Sequence, residues 1–216
     1  MLCSLTPALY TDWVKIAGAA LAFGIGIYQY LRAQKWKRRE FLASQIKDFE
    51  SDRKVQAALT MLDWSGRRIA FFPETAAAPV VIPVNDLLLC SSLVPHTKVE
   101  GYWTHEALIR DCFDRLFDGL VRFSNFVEAG LISVNELHPY LRYWMRSLSG
   151  TIRDYHGPEF YTLLHHYIIF YDFKEAKHLI EDFGYKIQPL QADVDAAIAT
   201  VKQNRPSMPD RGEADR

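Results

Sequence analysis

The sequence predicts a mainly α-helical protein, with a single N-terminal transmembrane helix followed by a helical bundle domain that carries a small β-hairpin. Three observations point there. Ile16 to Leu31 holds no charged residue. Segment after segment beyond it repeats apolar residues at three- and four-residue spacing. Helix-starting and helix-ending residues stand at the borders of those segments.

Composition sets the frame for these signals. The 216 residues are 49% apolar and 24% charged, values of an ordinary folded chain, and 13% aromatic, enough for a dense core. The formal net charge of -1 hides an asymmetry. Residues 1–40 carry six basic side chains against Asp12 and Glu40, a net +4, so residues 41–216 carry a net −5. The larger part is therefore acidic, the opposite of the basic face a nucleic-acid binder presents, and no nucleic-acid partner is expected. Cys3, Cys90 and Cys112 match no zinc or redox spacing. Cys112 lies on an apolar helical face and reads as a small core residue.

The elements follow in order. Residues 1–12 read as a short extracytoplasmic N-terminus and 13–31 as the transmembrane helix. Nineteen helical residues rise about 28 Å, close to a hydrocarbon core of about 30 Å. Trp13 stands at one end and Tyr28, Tyr30 and Trp36 near the other, where interfacial aromatics belong. Arg32, Lys35, Lys37, Arg38 and Arg39 follow the run instead of preceding it, which argues against a cleaved signal peptide. The same cations predict an inner-membrane protein with its N-terminus outside and its C-terminal domain in the cytoplasm. Gly18, Ala22 and Gly26 repeat at four-residue spacing, a face on which spans can pack closely. The lipid bilayer is thus one expected partner, and a protein partner or a second copy is another.

Residues 32–48 read as a basic juxtamembrane helix and 49–188 as a cytoplasmic helical domain. Asp52 is placed to cap the helix that begins after it. Arg68–Phe72 and Val80–Val84 are β-leaning runs around a Pro/Ala connection, a hairpin pattern. A short helix over "NDLLLCSSLVP" closes at Pro95. The stretch 104–130 carries Ile109, Phe113, Leu116, Leu120, Phe123 and Val127 at alternating spacings of four and three, a heptad-like seam. Glu106–Arg110, Asp111–Arg115 and Asp118–Arg122 stand four apart and predict a solvated, self-paired charged face. Gly130 then ends that helix, and Ser133 with Glu136 forms a capping box for the next, with Ile132 and Leu137 as the staple. The same stretch superficially matches a calcium loop, but Val127 and Ala129 bring no side-chain oxygen. Pro158 opens a further apolar helix, Gly184 closes the one after it, and 189–216 reads as a weak helix and a disordered tail.

No phosphate loop, dinucleotide fingerprint or zinc-protease motif occurs in the sequence. Neither a cofactor nor a catalytic residue is expected. His165 and His166 are adjacent, so on a helix they diverge by about 100°. With His178 they form only a weak metal candidate, because neither has a partner one turn away. Tyr140, Arg142, Tyr143, Trp144 and Arg146 form the densest aromatic–arginine cluster, the composition of interaction hot spots. They are the candidate partner surface, together with the helix from Trp103 to Arg122.

The stretches "REFLASQIKDFESDRKVQAALTMLDWSGRRI" and "FVEAGLISVNELHPYLRYWM" resemble a loosely defined group of small bacterial membrane-anchored helical proteins of unknown function. The resemblance implies a bacterial, membrane-tethered helical domain and no particular activity. The expected function is a membrane-anchored interaction or scaffold protein. The alternatives are an effector acting through self-association of its transmembrane helix, or a cryptic metal-dependent hydrolase.

Overall fold

The computed structural model describes residues 7–73, 78–152 and 155–205, so the last stretch expected to be disordered, 206–216, and the first residues of the expected extracytoplasmic terminus lie outside the described residues. The elements are α1 (Pro7–Ser51), α2 (Arg53–Asp63), β1 (Arg67–Phe71), β2 (Val80–Val84), α3 (Asp86–Leu93), α4 (Thr104–Glu128), α5 (Val134–Leu148), α6 (Pro158–Phe170), α7 (Lys174–Asp182) and α8 (Gln191–Asn204). The chain divides into two compact units, 1–45 and 46–216.

The first unit contains most of α1. Its apolar side chains between Ile16 and Leu31 are bare: Ile16, Leu21, Phe23, Ile25, Ile27 and Leu31 are all exposed, Phe23 at 71%. A Cβ built on Gly18, Gly24 or Gly26 would meet nothing within 4 Å. Among the described residues, however, no helix is long and apolar enough to cross a membrane, which corrects the transmembrane reading of 13–31. The helix exists, but Lys15, three glycines and the polar Tyr28-Gln29-Tyr30 step dilute its apolar run. The expected basic helix over 32–48 is part of the same α1 rather than a separate element.

The second unit is the helical bundle. Asp52 caps α2 as its position demands, its carboxylate accepting from the amides of Lys54 at 2.9 Å and Val55 at 3.3 Å. Burial pushes the Asp52 carboxyl up, but the Arg115 guanidinium and these two amides outweigh it and hold it below its ordinary value. The hairpin forms one residue earlier than the sequence suggests on its first strand, with Ile69 opposite Ile82 and Phe71 opposite Val80. Ile69, Phe71, Ile82 and Val84 point inward at two-residue period. Outside, the Arg53 guanidinium lies 4.4 Å from the ring of Phe72.

Helix α4 is the centre of this unit and packs against α2, α3 and α7. Its seam residues Ile109, Phe113, Leu116, Leu120 and Phe123 are buried, and Phe117 and Cys112 widen the buried stripe. Burial, with Asp111 adding to it, pushes the Cys112 thiol up to about 12, so it is a packing residue and not a nucleophile. Helix α5 starts on the expected capping box: the Ser133 amide and hydroxyl donate to Glu136 Oε2 at 2.8 and 2.7 Å. Gly130 adopts φ 68°, the left-handed turn that aims the chain from α4 into α5. Pro158 opens α6, which packs between α3, α7 and α8.

One small residue in α4 is required by a neighbour's bulk. A Cβ on Gly119 would stand 2.5 Å from the ring of Phe49, which is itself buried and packs edge-on against Phe123 at 5.3 Å. Gly119→Ala is therefore expected to lower stability despite its better helix propensity. The overpacking penalty of about 1–3 kcal/mol exceeds the gain of about 1 kcal/mol from replacing a helical glycine. Urea unfolding of the two proteins checks this; an unchanged or raised midpoint would show that Phe49 moves aside freely.

Candidate functional site

Helix α5 has a short stem of buried residues, Leu137, Leu141, Met145 and Leu148, that fixes which side faces out. His138, Arg142 and Arg146 recur every four residues on the opposite side, so each stands about 6 Å above the last and the row is about 12 Å long. With Pro139, Tyr143 and Tyr185 they line an open groove of about 610 Å³. Tyr185 is brought in by the turn after α7: Gly184 takes φ 87° and the Tyr185 amide donates to the Ile180 carbonyl at 3.2 Å.

The walls are held in place from behind. His138 lies flat on Phe183, ring centres 4.6 Å apart and planes at 11°. Tyr143 donates its hydroxyl to Asp63 of α2, and that bond, followed by burial, pushes its pKa up to about 12. Tyr143 also meets Trp144 edge-on at 4.9 Å. The two arginines are exposed and make no ion pair with any described residue. Two guanidiniums one turn apart repel each other and carry ten N–H donors with no carboxylate among the described residues paired to them. Of the predicted surface, Arg142, Tyr143 and Arg146 come together here. Tyr140 is exposed but does not line the groove, and Trp144 is half-buried beside Tyr143. His138 and Tyr185 are additions the sequence reading missed. The four-residue spacing from His138 to Arg142 was the available signal for the first; nothing local announces the second.

The histidine candidates do not form a metal centre. Among the described residues no group of three or more His, Cys, Asp or Glu side chains could hold a metal ion. His165 bonds the Leu148 carbonyl through Nε2 at 2.8 Å and lines a polar cavity of about 650 Å³ between α6 and α8. His166 lies 5.7 Å from the ring of Phe170, and burial lowers its pKa. His178 is exposed on α7.

Three buried polar arrangements hold the unit together. His156, passed over as one histidine among seven, is sealed from solvent and places Nδ1 2.8 Å from Asp86 Oδ1, while Asp86 Oδ2 accepts from the Gly157 amide at 3.3 Å. The pair ties the start of α3 to the start of α6, with the imidazole sealed and the Asp86 carboxylate 40% exposed. Arg110 lies against three tyrosine rings, Tyr102 at 4.2 Å, Tyr167 at 4.8 Å and Tyr171 at 4.9 Å, and donates to the carbonyls of Ser92 at 2.8 Å and Val94 at 3.3 Å. Tyr167 in turn donates to Asp114 at 2.5 Å; burial raises both the phenol and the carboxyl. Finally, Arg205 beyond α8 forks onto Glu106 at the start of α4, with Nε 2.9 Å from Oε1 and a second bond from its terminal nitrogen to Oε2.

These contacts correct the predicted charge pairs on α4. Glu106 pairs with Arg205 instead of Arg110, Asp111 with Lys54 at 2.7 Å, and Arg115 with Asp52 at 2.6 Å. Glu106, Asp111 and Arg115 thus find ionic partners outside α4, and Arg110 turns to the carbonyls of Ser92 and Val94.

Comparison with protein-family models, curated proteins and solved structures finds no match, so the patchwise resemblance noted in the sequence assigns the chain to no family.

Proposed function

We propose that the protein is a helical interaction module held at a lipid bilayer by α1. The observation that carries this is the bare apolar length from Ile16 to Leu31, followed within eight residues by five cations. A monomer in water rarely leaves an apolar surface of that extent uncovered. Lipid covers it at no cost in polar groups, since helical backbone is internally hydrogen-bonded. The cations then meet anionic headgroups, each contributing about 1 kcal/mol. The second unit offers no catalytic constellation among its described residues and supplies instead the groove on α5 as a partner surface.

The test is flotation of the full-length protein with liposomes containing anionic lipid. The wild type is expected to float. Replacing Leu21, Phe23 and Ile25 by arginine is expected to reduce partitioning more than 100-fold, since burying each of these apolar side chains is worth about 1.5–3 kcal/mol. These side chains are exposed, so the melting of the second unit is expected to be unchanged. A wild type that stays with the soluble fraction sinks the proposal. Reporters on both termini are expected to lie on one side of the bilayer, as for a helix lying in the interface.

A further inference from the structure

We infer that the α5 groove binds an acidic segment of a partner protein, in extended conformation, with two carboxylates two positions apart. This deepens the partner-surface half of the proposed function and rests on that half alone.

The geometry points to this occupant. Arg142 and Arg146 stand one helical turn apart, about 6 Å. Alternate side chains on one face of an extended chain stand about 6.6 Å apart. Two carboxylates at that spacing can each meet one guanidinium fork, the pairing for which arginine geometry is suited. Neither arginine is committed elsewhere among the described residues. Asp63, which meets the groove wall at Tyr143, is already taken by the Tyr143 hydroxyl. The walls add a second selection. Tyr143, Tyr185 and Pro139 also line the groove, so it favours a residue with an apolar body two positions beyond the acids, on the same face of the extended chain. His138, flat against Phe183, offers ring nitrogens that bond no described residue. They supply one further donor at the end of the row.

Other anions fit less well. A single phosphate can satisfy one guanidinium fork but leaves the other a turn away unmet. A nucleic acid meets the net −5 of residues 41–216 at every step beyond the groove, and long-range repulsion outweighs two local contacts. A short acidic segment places its charge inside the groove alone.

Fluorescence anisotropy on the full-length chain in mild detergent tests this. The probe is a fluorescein-labelled peptide carrying Glu-Tyr-Glu in a glycine–serine background, compared with Gln-Tyr-Gln and Lys-Tyr-Lys peptides of the same length. The wild type is expected to bind the acidic peptide at least tenfold more tightly than the glutamine peptide, with affinity falling as salt rises. The double variant R142E/R146E is expected to lose that preference and bind the lysine peptide instead. Both arginines are exposed, so the fold should survive; circular dichroism checks it, and R142Q/R146Q replaces the pair if the charge reversal unfolds the unit. Equal binding of the acidic peptide by wild type and variant overturns the inference. So does arginine-dependent binding confined to inorganic phosphate or to anionic vesicles. Peptide binding that persists where flotation fails removes the membrane half of the proposed function and leaves this one standing.

Discussion

Arg205→Ala is expected to destabilise the second unit by about 3–5 kcal/mol, the loss associated with stranding one partner of a buried ion pair. Glu106 is 1% exposed and the Arg205 side chain 13%, so no water replaces the missing fork. Glu106 is doubly engaged, because Oε2 also accepts the Trp103 amide at 2.9 Å and so caps α4. Arg205 further donates to the Gly101 carbonyl at 2.7 Å. Losing the arginine therefore leaves a buried carboxylate with its cap alone and a free carbonyl beside it. Arg205→Lys restores a charge but not a planar fork, and should recover only part of the loss. Glu106→Gln with Arg205→Met removes both charges and is expected to cost less than the single change. Urea unfolding followed at 222 nm reads all three. A loss under about 1 kcal/mol for Arg205→Ala would mean that the end of α8 frays and the pair is worth no more than a surface bridge.

Arg110→Ala is the second large effect, expected at about 3 kcal/mol. Two carbonyls, of Ser92 and Val94, lose charged donors, each such bond being worth about 1.5–3 kcal/mol. Three tyrosine faces lose a cation, at roughly 0.5–1 kcal/mol each or more where water is excluded. Some relaxation around the vacated space keeps the sum from being realised in full. Tyr102 also bonds the Val94 carbonyl at 2.5 Å, so one acceptor keeps a donor. Arg110→Lys should behave almost as badly, because an ammonium cannot stack on three rings and reach two carbonyls from one position. A double-mutant cycle with Tyr167→Phe separates the terms. That change removes the hydroxyl given to Asp114 but keeps the ring, so its cost should add to that of Arg110→Ala unless Asp114 and Arg110 interact through space. Thermal melts that show no coupling and no loss would assign Arg110 to the solvent, where the sequence placed it.

The helix ends and the hairpin were legible because they depend on residues within a turn or two. Asp52 caps α2, Ser133 and Glu136 box α5, Pro158 opens α6, and Gly130 and Gly184 turn the chain out of α4 and α7. The inward faces of α4 and the hairpin follow from period alone, seven-residue in the one and two-residue in the other. The candidate surface was half legible. Arg142, Tyr143 and Arg146 share a helix face, so their spacing announced them, whereas Tyr185 reaches the groove from forty residues on. Tyr140 and Trp144 belong to the same composition cluster but do not line the groove.

What the sequence determined by itself is the set of helices, their caps and which faces turn inward. It also determined the division of charge between a basic end and an acidic domain. What only the tertiary structure decided is which charge meets which. Lys54 with Asp111, Asp52 with Arg115, and Glu106 with Arg205 replace the neighbours four apart that local spacing favours. The physical reason is one of magnitude. A solvated pair along one helix is worth only a few tenths of a kcal/mol, so the packing of the elements against one another outweighs it in deciding which charges meet. The stronger term waits on the chain's return across 57 to 99 residues, and no local window contains it.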